Sequence, residues 1–167
     1  MKEWRAGHRY DLFFQPGVLM EPVKDNDVML KKFRAFYENL HLASLDALPD
    51  VYAEDIRFVD PVDEHQGITA LHDYFANLLD NCHDCRFAIH MAQLKDNGGF
   101  VTWTMTFSHP KIKSGQPICV DGCSEVRFDA NRKIQFQQDY YDMGAMLYEH
   151  LPLLGSALKW IKRRLKQ

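Results

Sequence analysis

The chain has 167 residues, the size of one ordinary domain and long enough to bury a core without disulfides. Its net charge is -3, from 20 Lys and Arg against 23 Asp and Glu, so it lacks the basic excess typical of nucleic-acid-binding proteins. No run approaches the roughly 18 apolar residues that span a bilayer, and the N-terminus carries no apolar segment of signal type, so we expect a cytoplasmic protein.

The four cysteines form two pairs in the sequence, Cys82 with Cys85 and Cys119 with Cys123. Such pairs raise the alternative of a zinc site. However, Cys119 and Cys123 fall in a strand-like segment, where four residues span about 13 Å, so both cannot ligate one ion. We therefore expect reduced structural thiols, with no metal and no cofactor.

Residues 1–24 follow neither the helical nor the strand period, and Gly and Pro interrupt their scattered aromatic residues. We interpret them as an N-terminal extension that precedes a domain of residues 25–143. A helix is predicted to begin after a cap among Asp25, Asn26 and Asp27. Its apolar residues at helical spacing are Val28, Leu30, Phe33, Phe36, Tyr37 and Leu40. A second short helix is predicted over 44–52.

The period then changes to that of a strand. In "IRFVD" the side chains of Ile56, Phe58 and Asp60 share one face. An aspartate on the apolar face of a strand needs a partner or a function. Asp60 either accepts backbone N–H groups around Pro61 and Val62 in an Asx-type turn, or faces a ligand.

The rest of the domain reads as one helix and a meander of strands. Gly67 marks a turn, and Thr69 caps a helix with an inner stripe of Leu71, Tyr74, Phe75 and Leu78. Four strand-like runs follow, at about 86–95, 100–109, 117–129 and 133–141, joined by turn-rich segments of hairpin length. This order predicts an α+β domain with helices on one face of an antiparallel sheet.

The stretch "YAEDIRFVDPVDEHQGITALHDYFANLL" resembles the corresponding part of the bacterial ketosteroid isomerases. Residues 27–145 as a whole are similar to the nuclear transport factor 2-like superfamily, including the SnoaL-like polyketide cyclases. The motif "QDYYDMGAML" resembles the ending of SnoaL-like domains. The resemblance implies a cone-shaped curved antiparallel sheet, with helices on its concave face closing a pocket. Chemistry varies within this superfamily, so the resemblance bounds the fold better than the function.

By this resemblance Asp60 matches the catalytic aspartate of the isomerases, which moves a proton between two carbons. Their oxyanion hole does not carry over. This chain has Phe36 in place of the donating tyrosine, with Tyr37 about 100° round the helix, and Ser124 in place of a protonated aspartic acid. Each missing donor is worth a few kcal/mol, so we do not expect steroid isomerisation by that mechanism.

The pocket wall does carry over. Trp103, Met105 and Phe107 share one strand face, and the same alignment turns Gln135, Gln137, Asp139 and Tyr141 inward on the last strand. The predicted catalytic pair is Asp60 and Asp139, whose pKa values an apolar cone should push apart. The predicted ligand-binding residues are Phe36, Tyr37, Phe58, Tyr74, His90, Trp103, Met105, Phe107, Ser124, Gln137 and Tyr141.

Each site residue has a plainer alternative. Asp139 can form a structural ion pair with Arg86, Arg127 or Arg132. His90 can be an ordinary hydrogen-bonded strand histidine, and the apolar stripe of Trp103, Met105 and Phe107 can be simple core.

These features predict a pocket that binds a small hydrophobic molecule. It serves either a cofactor-independent isomerase, cyclase or hydrolase using Asp60 as acid or base, or a non-catalytic ligand-binding or protein-interaction module. The sequence leaves this choice open. We also expect a homodimer through the outer sheet face, which carries Ile134, Phe136 and Tyr140 beside Thr102, Thr104 and Thr106.

Residues 144–167 are predicted to form an amphipathic basic helix, split or kinked at Pro152 and Gly155. Its apolar stripe is Leu147, Leu151, Leu154, Leu158, Ile161 and Leu165, and Lys159, Lys162, Arg163, Arg164 and Lys166 crowd the other faces. The pattern suits a helix packed on its own domain and one lying on a membrane surface. We expect the packed arrangement, over the pocket mouth, because Leu153, Ala157 and Trp160 widen the stripe.

Overall fold

The computed structural model describes residues 28–165; the predicted N-terminal extension, its neighbouring cap residues and Lys166 lie outside them. The helices are α1 (Val28–Glu38), α2 (Leu48–Val51), α3 (Ile68–Asn81), α4 (Met143–Met146) and α5 (Pro152–Arg164). The strands are β1 (Tyr52–Val59), β2 (Glu64–Gln66), β3 (His83–Lys95), β4 (Gly98–Ser108), β5 (Ile118–Phe128) and β6 (Ile134–Tyr141). Short 3₁₀ turns occupy Leu42–Ala47, Lys113–Gly115 and Tyr148–His150.

One curved sheet of six strands in the order β2-β1-β6-β5-β4-β3 forms the cone, and the predicted α+β class is confirmed. The sheet is larger than the predicted four-stranded meander, because β1 and β2 join its edge. β1 runs parallel to β6, while the other neighbouring pairs are antiparallel. A parallel pair needs a long crossover, and α3 with the meander provides it between β1 and β6.

The core lies between the concave face of the sheet and the first helices. α1 packs on β3 and buries Met29, Leu30, Phe33, Phe36 and Tyr37. α3 packs against β1 and buries Leu71 and Phe75. Burial of apolar residues from both elements holds the helices over the cone.

Strand β6 departs from simple alternation near its start. Ile134 is buried and Gln135 is exposed, so the predicted outer position of Ile134 and inner position of Gln135 are wrong. The β5–β6 register shifts here, because Arg127 pairs with Phe136 while Phe128 pairs with Ile134. The extra residue is a β-bulge that turns Ile134 into the core and leaves the later residues of the strand in the predicted phase.

The C-terminal segment leaves the sheet after β6. Asp142 caps α4, its Oδ1 accepting the N–H groups of Gly144 (2.7 Å) and Ala145 (3.2 Å). α5 begins at Pro152 and packs on the 3₁₀ turn Tyr148–His150. Among residues 28–165, no helix is both long and apolar enough to cross a membrane.

Candidate functional site

A small cavity inside the cone brings the two predicted carboxylates together. Its volume is about 30 Å³, room for one or two water molecules. The residues that line it are Tyr37, Phe58, Asp60, Tyr74, Phe75, Leu78, Phe87, Trp103, Met105, Asp139, Tyr141 and Met146. A larger depression of about 510 Å³ lies at the β3–β4 hairpin, but it is open to solvent and far poorer in buried polar groups. The two predicted carboxyl groups therefore lie in the smaller cavity.

The Asp60 carboxylate is held by four donors. Its Oδ1 accepts the backbone N–H groups of Val62 (2.7 Å) and Asp63 (2.9 Å). Its Oδ2 accepts the hydroxyl groups of Tyr74 (2.5 Å) and Tyr141 (3.1 Å). One oxygen therefore closes the predicted Asx-type turn, and the other lies at the cavity wall, where its role toward a ligand stays a prediction.

The two tyrosines stay protonated donors. Burial, with the charge of Asp60 as the next cause, holds the pKa of Tyr74 and of Tyr141 well above the ordinary range. The ring of His65, from β2, stacks on Tyr74 with 4.4 Å between centroids. Its Nε2 is buried without a hydrogen-bond partner among the described residues. The wall beside Asp60 is thus aromatic, and the hydroxyl groups of Tyr74 and Tyr141 supply its contacts to the carboxylate.

Asp139 is held differently from Asp60. Its Oδ1 accepts the Ser124 hydroxyl (2.6 Å) and the Gln137 side-chain amide (2.9 Å). Its Oδ2 accepts no hydrogen bond from the described residues. Burial raises the pKa of Asp139 to about 7, against the two hydrogen bonds that lower it, and the charge of Asp60 adds to the rise. At neutral pH this carboxyl group exchanges readily between its two protonation states.

A buried hydrogen-bond chain orients that carboxyl group. Trp103 Nε1 donates to Ser124 Oγ at 2.8 Å. The Gln137 amide donates to Tyr37 at 3.0 Å and accepts from Tyr52 at 2.9 Å, and the two tyrosine hydroxyls lie 2.7 Å apart. Ser124 and Gln137 therefore act behind the cavity wall, as positioning residues for Asp139.

Two of the three arginines considered as ion-pair partners of Asp139 pair with other carboxylates instead. Arg86 pairs with Asp84 at 3.3 Å, and Arg127 pairs with Glu125 at 2.8 Å. Asp139 is thus a carboxyl group of the cavity rather than half of these surface pairs.

The family model described as "SnoaL-like domain" matches residues 33–136, more than half of the chain. The chain belongs to this SnoaL-like family. None of the curated proteins compared with the chain matches it.

Solved structures share the fold of this SnoaL-like domain. A protein with a ketosteroid isomerase-like fold from Catenulispora acidiphila, in complex with trimethylamine, is 16% identical with a TM-score of 0.63, covering 75% of this chain and 95% of that one. A protein from Jannaschia sp. assigned to the SnoaL-like polyketide cyclases is 11% identical with a TM-score of 0.61, covering 71% and 88%. One from Agrobacterium tumefaciens assigned to the isomerases of the SnoaL-like family is 16% identical with a TM-score of 0.53, covering 68% and 94%. At these identities the likeness shows the fold alone.

Eight of the predicted site residues line the SnoaL-like cavity, Ser124 and Gln137 lie behind its wall, and three lie elsewhere. Phe36 is buried in the core, with its ring 5.9 Å from Phe75, and Phe107 is buried without lining the cavity. His90 lies on the outer face, where its Nε2 hydrogen-bonds Thr104 Oγ1 at 2.8 Å. The prediction that His90 contributes to the pocket is wrong, because β3 turns Phe87 inward and leaves His90 exposed.

Sequence reasoning missed four lining residues, namely Phe75, Leu78, Phe87 and Met146. Alternation along β3 could have found Phe87, and the α3 stripe already contained Phe75 and Leu78. No local pattern identifies Met146, because α4 reaches the cavity only through the tertiary fold.

The four cysteines are free thiols in this structure. Burial raises the pKa of Cys85 to about 12, so it is protonated at neutral pH. Within residues 28–165, no three His, Cys, Asp or Glu side chains cluster closely enough to hold a metal ion.

Proposed function

We propose that this SnoaL-like domain binds a small, largely apolar molecule and performs cofactor-independent acid–base chemistry on it, as an isomerase, cyclase or hydrolase. The observation that carries the proposal is Asp139, whose Oδ2 accepts no hydrogen bond from residues 28–165, in a cavity that also contains the Asp60 carboxylate. A pKa of about 7 suits a group that both gives and takes a proton at neutral pH.

Asp60 has a supporting role in this proposal. Both of its oxygens are occupied, so it must lose a hydrogen bond before it accepts a proton. It instead orients the hydroxyl groups of Tyr74 and Tyr141 on the cavity wall, whose oxygens can accept a hydrogen bond from a ligand donor. The acid–base role moves from Asp60, where the resemblance placed it, to Asp139.

A substrate requires the cavity to enlarge, since about 30 Å³ holds only one or two waters. Met146 is the lining residue best suited to move, because it lies on the four-residue helix α4 and its side chain is flexible. Met146→Ala should therefore widen the cavity and increase the rate with larger substrates.

The test uses 3-cyclohexen-1-one, whose conversion to the conjugated ketone requires one proton transfer off and one onto carbon. Conversion is followed by ultraviolet absorbance, and exchange of α-protons in D₂O by NMR. Asp139→Asn should lower the rate at least about 100-fold, the usual worth of general acid–base catalysis. Asp121→Asn, at an exposed aspartate on β5, is the matched control. Equal rates for wild type and Asp139→Asn would refute the role of Asp139.

A second candidate is non-catalytic binding of a small organic cation. The aromatic faces around Asp60 and Asp139 suit an alkylammonium ion, which cation–π and ionic contacts both favour. The related Catenulispora protein was crystallised with trimethylamine. Trimethylammonium chloride should then bind more tightly as pH rises through about 7, when Asp139 becomes charged. Calorimetry showing no heat of binding at any pH would exclude this candidate.

A further inference from the structure

Helix α5 presents an apolar side to solvent. Leu153 is 90% exposed, Leu165 81% and Trp160 53%, with Leu154 and Ile161 close to half exposed. Leu153 and Trp160 are seven residues apart, as are Leu154 and Ile161, so each pair repeats along one side of the helix. We call these five residues the α5 apolar face.

The opposite side fixes the orientation of the helix. Gly155 is buried against the 3₁₀ turn, where an added Cβ would lie 2.3 Å from the Glu149 carbonyl oxygen. Lys162, two turns along on the same side, forms an ion pair with the Glu149 carboxylate. Leu153 lies about 200° from Gly155 round the axis, so the α5 apolar face points away from its support. The expectation that this helix packs over the pocket mouth through its apolar stripe is therefore wrong.

The charged residues of α5 are all basic. The helix contains no acidic residue, and its last turn holds Lys162, Arg163 and Arg164. The Arg164 guanidinium lies 4.7 Å from the centroid of the Trp160 ring, which joins the basic end to the apolar face. The chain as a whole has a net charge of -3, so this positive charge is local.

We propose that the α5 apolar face docks on an anionic lipid surface. A helix of this kind lies in the interfacial plane, with its apolar side chains among the upper acyl chains and its basic ones at the phosphates. Trp160 has an apolar ring with a polar N–H, which suits that depth. Parallel pairing of two copies through α5 would bring their basic last turns together, which charge repulsion disfavours.

The experiment is cosedimentation of the full chain with vesicles of phosphatidylcholine containing one quarter phosphatidylglycerol, and with vesicles of phosphatidylcholine alone. Wild type should bind the anionic vesicles at least about tenfold better than the neutral ones, and high salt should remove the difference. The double variant Arg163→Glu, Arg164→Glu should lose binding by about tenfold or more. The double variant Leu153→Ala, Trp160→Ala should also lose binding by about tenfold or more.

Phe100→Ala is the matched control, because Phe100 is 52% exposed, like Trp160, but lies on β4. It should bind as wild type does. Urea denaturation of each variant checks that the fold survives, which is expected because the changed side chains are exposed. Three results overturn the proposal: no vesicle binding by wild type, undiminished binding by both double variants, or self-association in sedimentation velocity that Leu153→Ala, Trp160→Ala abolishes.

Discussion

Ser124 and Asp139 face each other as a cross-strand pair of β5 and β6, and the Ser124 hydroxyl donates a 2.6 Å hydrogen bond to Asp139 Oδ1. Ser124 stands where the resemblance places the protonated aspartic acid of the isomerases. This chain has a different carboxyl group beside that position, Asp139 on the neighbouring strand β6. Its pKa of about 7 makes it an acid that is partly protonated at neutral pH.

The stability of the domain should fall as pH rises from about 4 to about 7. The pKa of Asp139 is about 7 in the folded protein against an ordinary 3.8, so the folded state binds this proton more tightly than the unfolded state. The resulting stabilisation is complete below pH 3.8 and is lost through pH 7, on the order of 4 kcal/mol in total. Urea denaturation of wild type and Asp139→Asn at pH 5 and pH 8 measures it. Asn keeps an acceptor for Ser124 and does not titrate, so an equal pH response in both proteins would contradict this assignment.

Removing the Ser124 hydroxyl should raise the pKa of Asp139 further, because that hydrogen bond stabilises the carboxylate. Ser124→Ala should also cost about 1–3 kcal/mol, since it leaves the buried Trp103 Nε1 without its acceptor. NMR titration of the Asp139 side-chain carbon reports the pKa, and denaturation reports the stability. Ser108→Ala, at a serine that donates to a backbone carbonyl near the surface, should change neither. A titration of Asp139 that is unchanged in Ser124→Ala would show that the hydroxyl has no influence.

The two tyrosines on Asp60 should differ in their contributions. Tyr74 donates at 2.5 Å and Tyr141 at 3.1 Å, so Tyr74→Phe should lower the free energy of unfolding by about 2 kcal/mol and Tyr141→Phe by less. Both substitutions preserve the ring and change only the donor. Thermal or urea denaturation at pH 8 measures the loss of stability in each variant. A larger loss of stability in Tyr141→Phe than in Tyr74→Phe would make Tyr141 the principal donor.

A homodimer through the outer sheet face stays a prediction. Tyr140 is 48% exposed there, and Phe136 lies between the guanidinium groups of Arg57 and Arg127, at 5.7 and 4.4 Å from its centroid. Ile134 does not contribute, because it points into the core. Sedimentation equilibrium at micromolar concentration should show a dimer that Tyr140→Asp dissociates. Trp160→Ala on α5 is the control and should remain dimeric; a monomeric wild type would end this prediction.

The sequence by itself determined the parts of the protein that depend on local period. Period-two alternation placed Phe58 and Asp60 on the inner face, and it also placed Trp103 and Met105 there, because neighbouring side chains of a strand must point to opposite faces. Turn residues likewise indicated the order of helices and strands. The resemblance to SnoaL-like proteins, carried by the Asp60 segment and the β6 motif, indicated the fold.

Only the tertiary structure decided how the site is built. The bulge that buries Ile134 depends on how β5 and β6 pair, and the exposure of His90 depends on which face of β3 the helices cover. The protonation of Asp139 depends on burial and on donors from other strands, since a pKa is set by surroundings that lie far away in the sequence. The direction of the α5 apolar face follows from close packing at Gly155. Helical periodicity cannot specify this contact. The period defines the faces of a helix, but it does not determine which face packs against the protein.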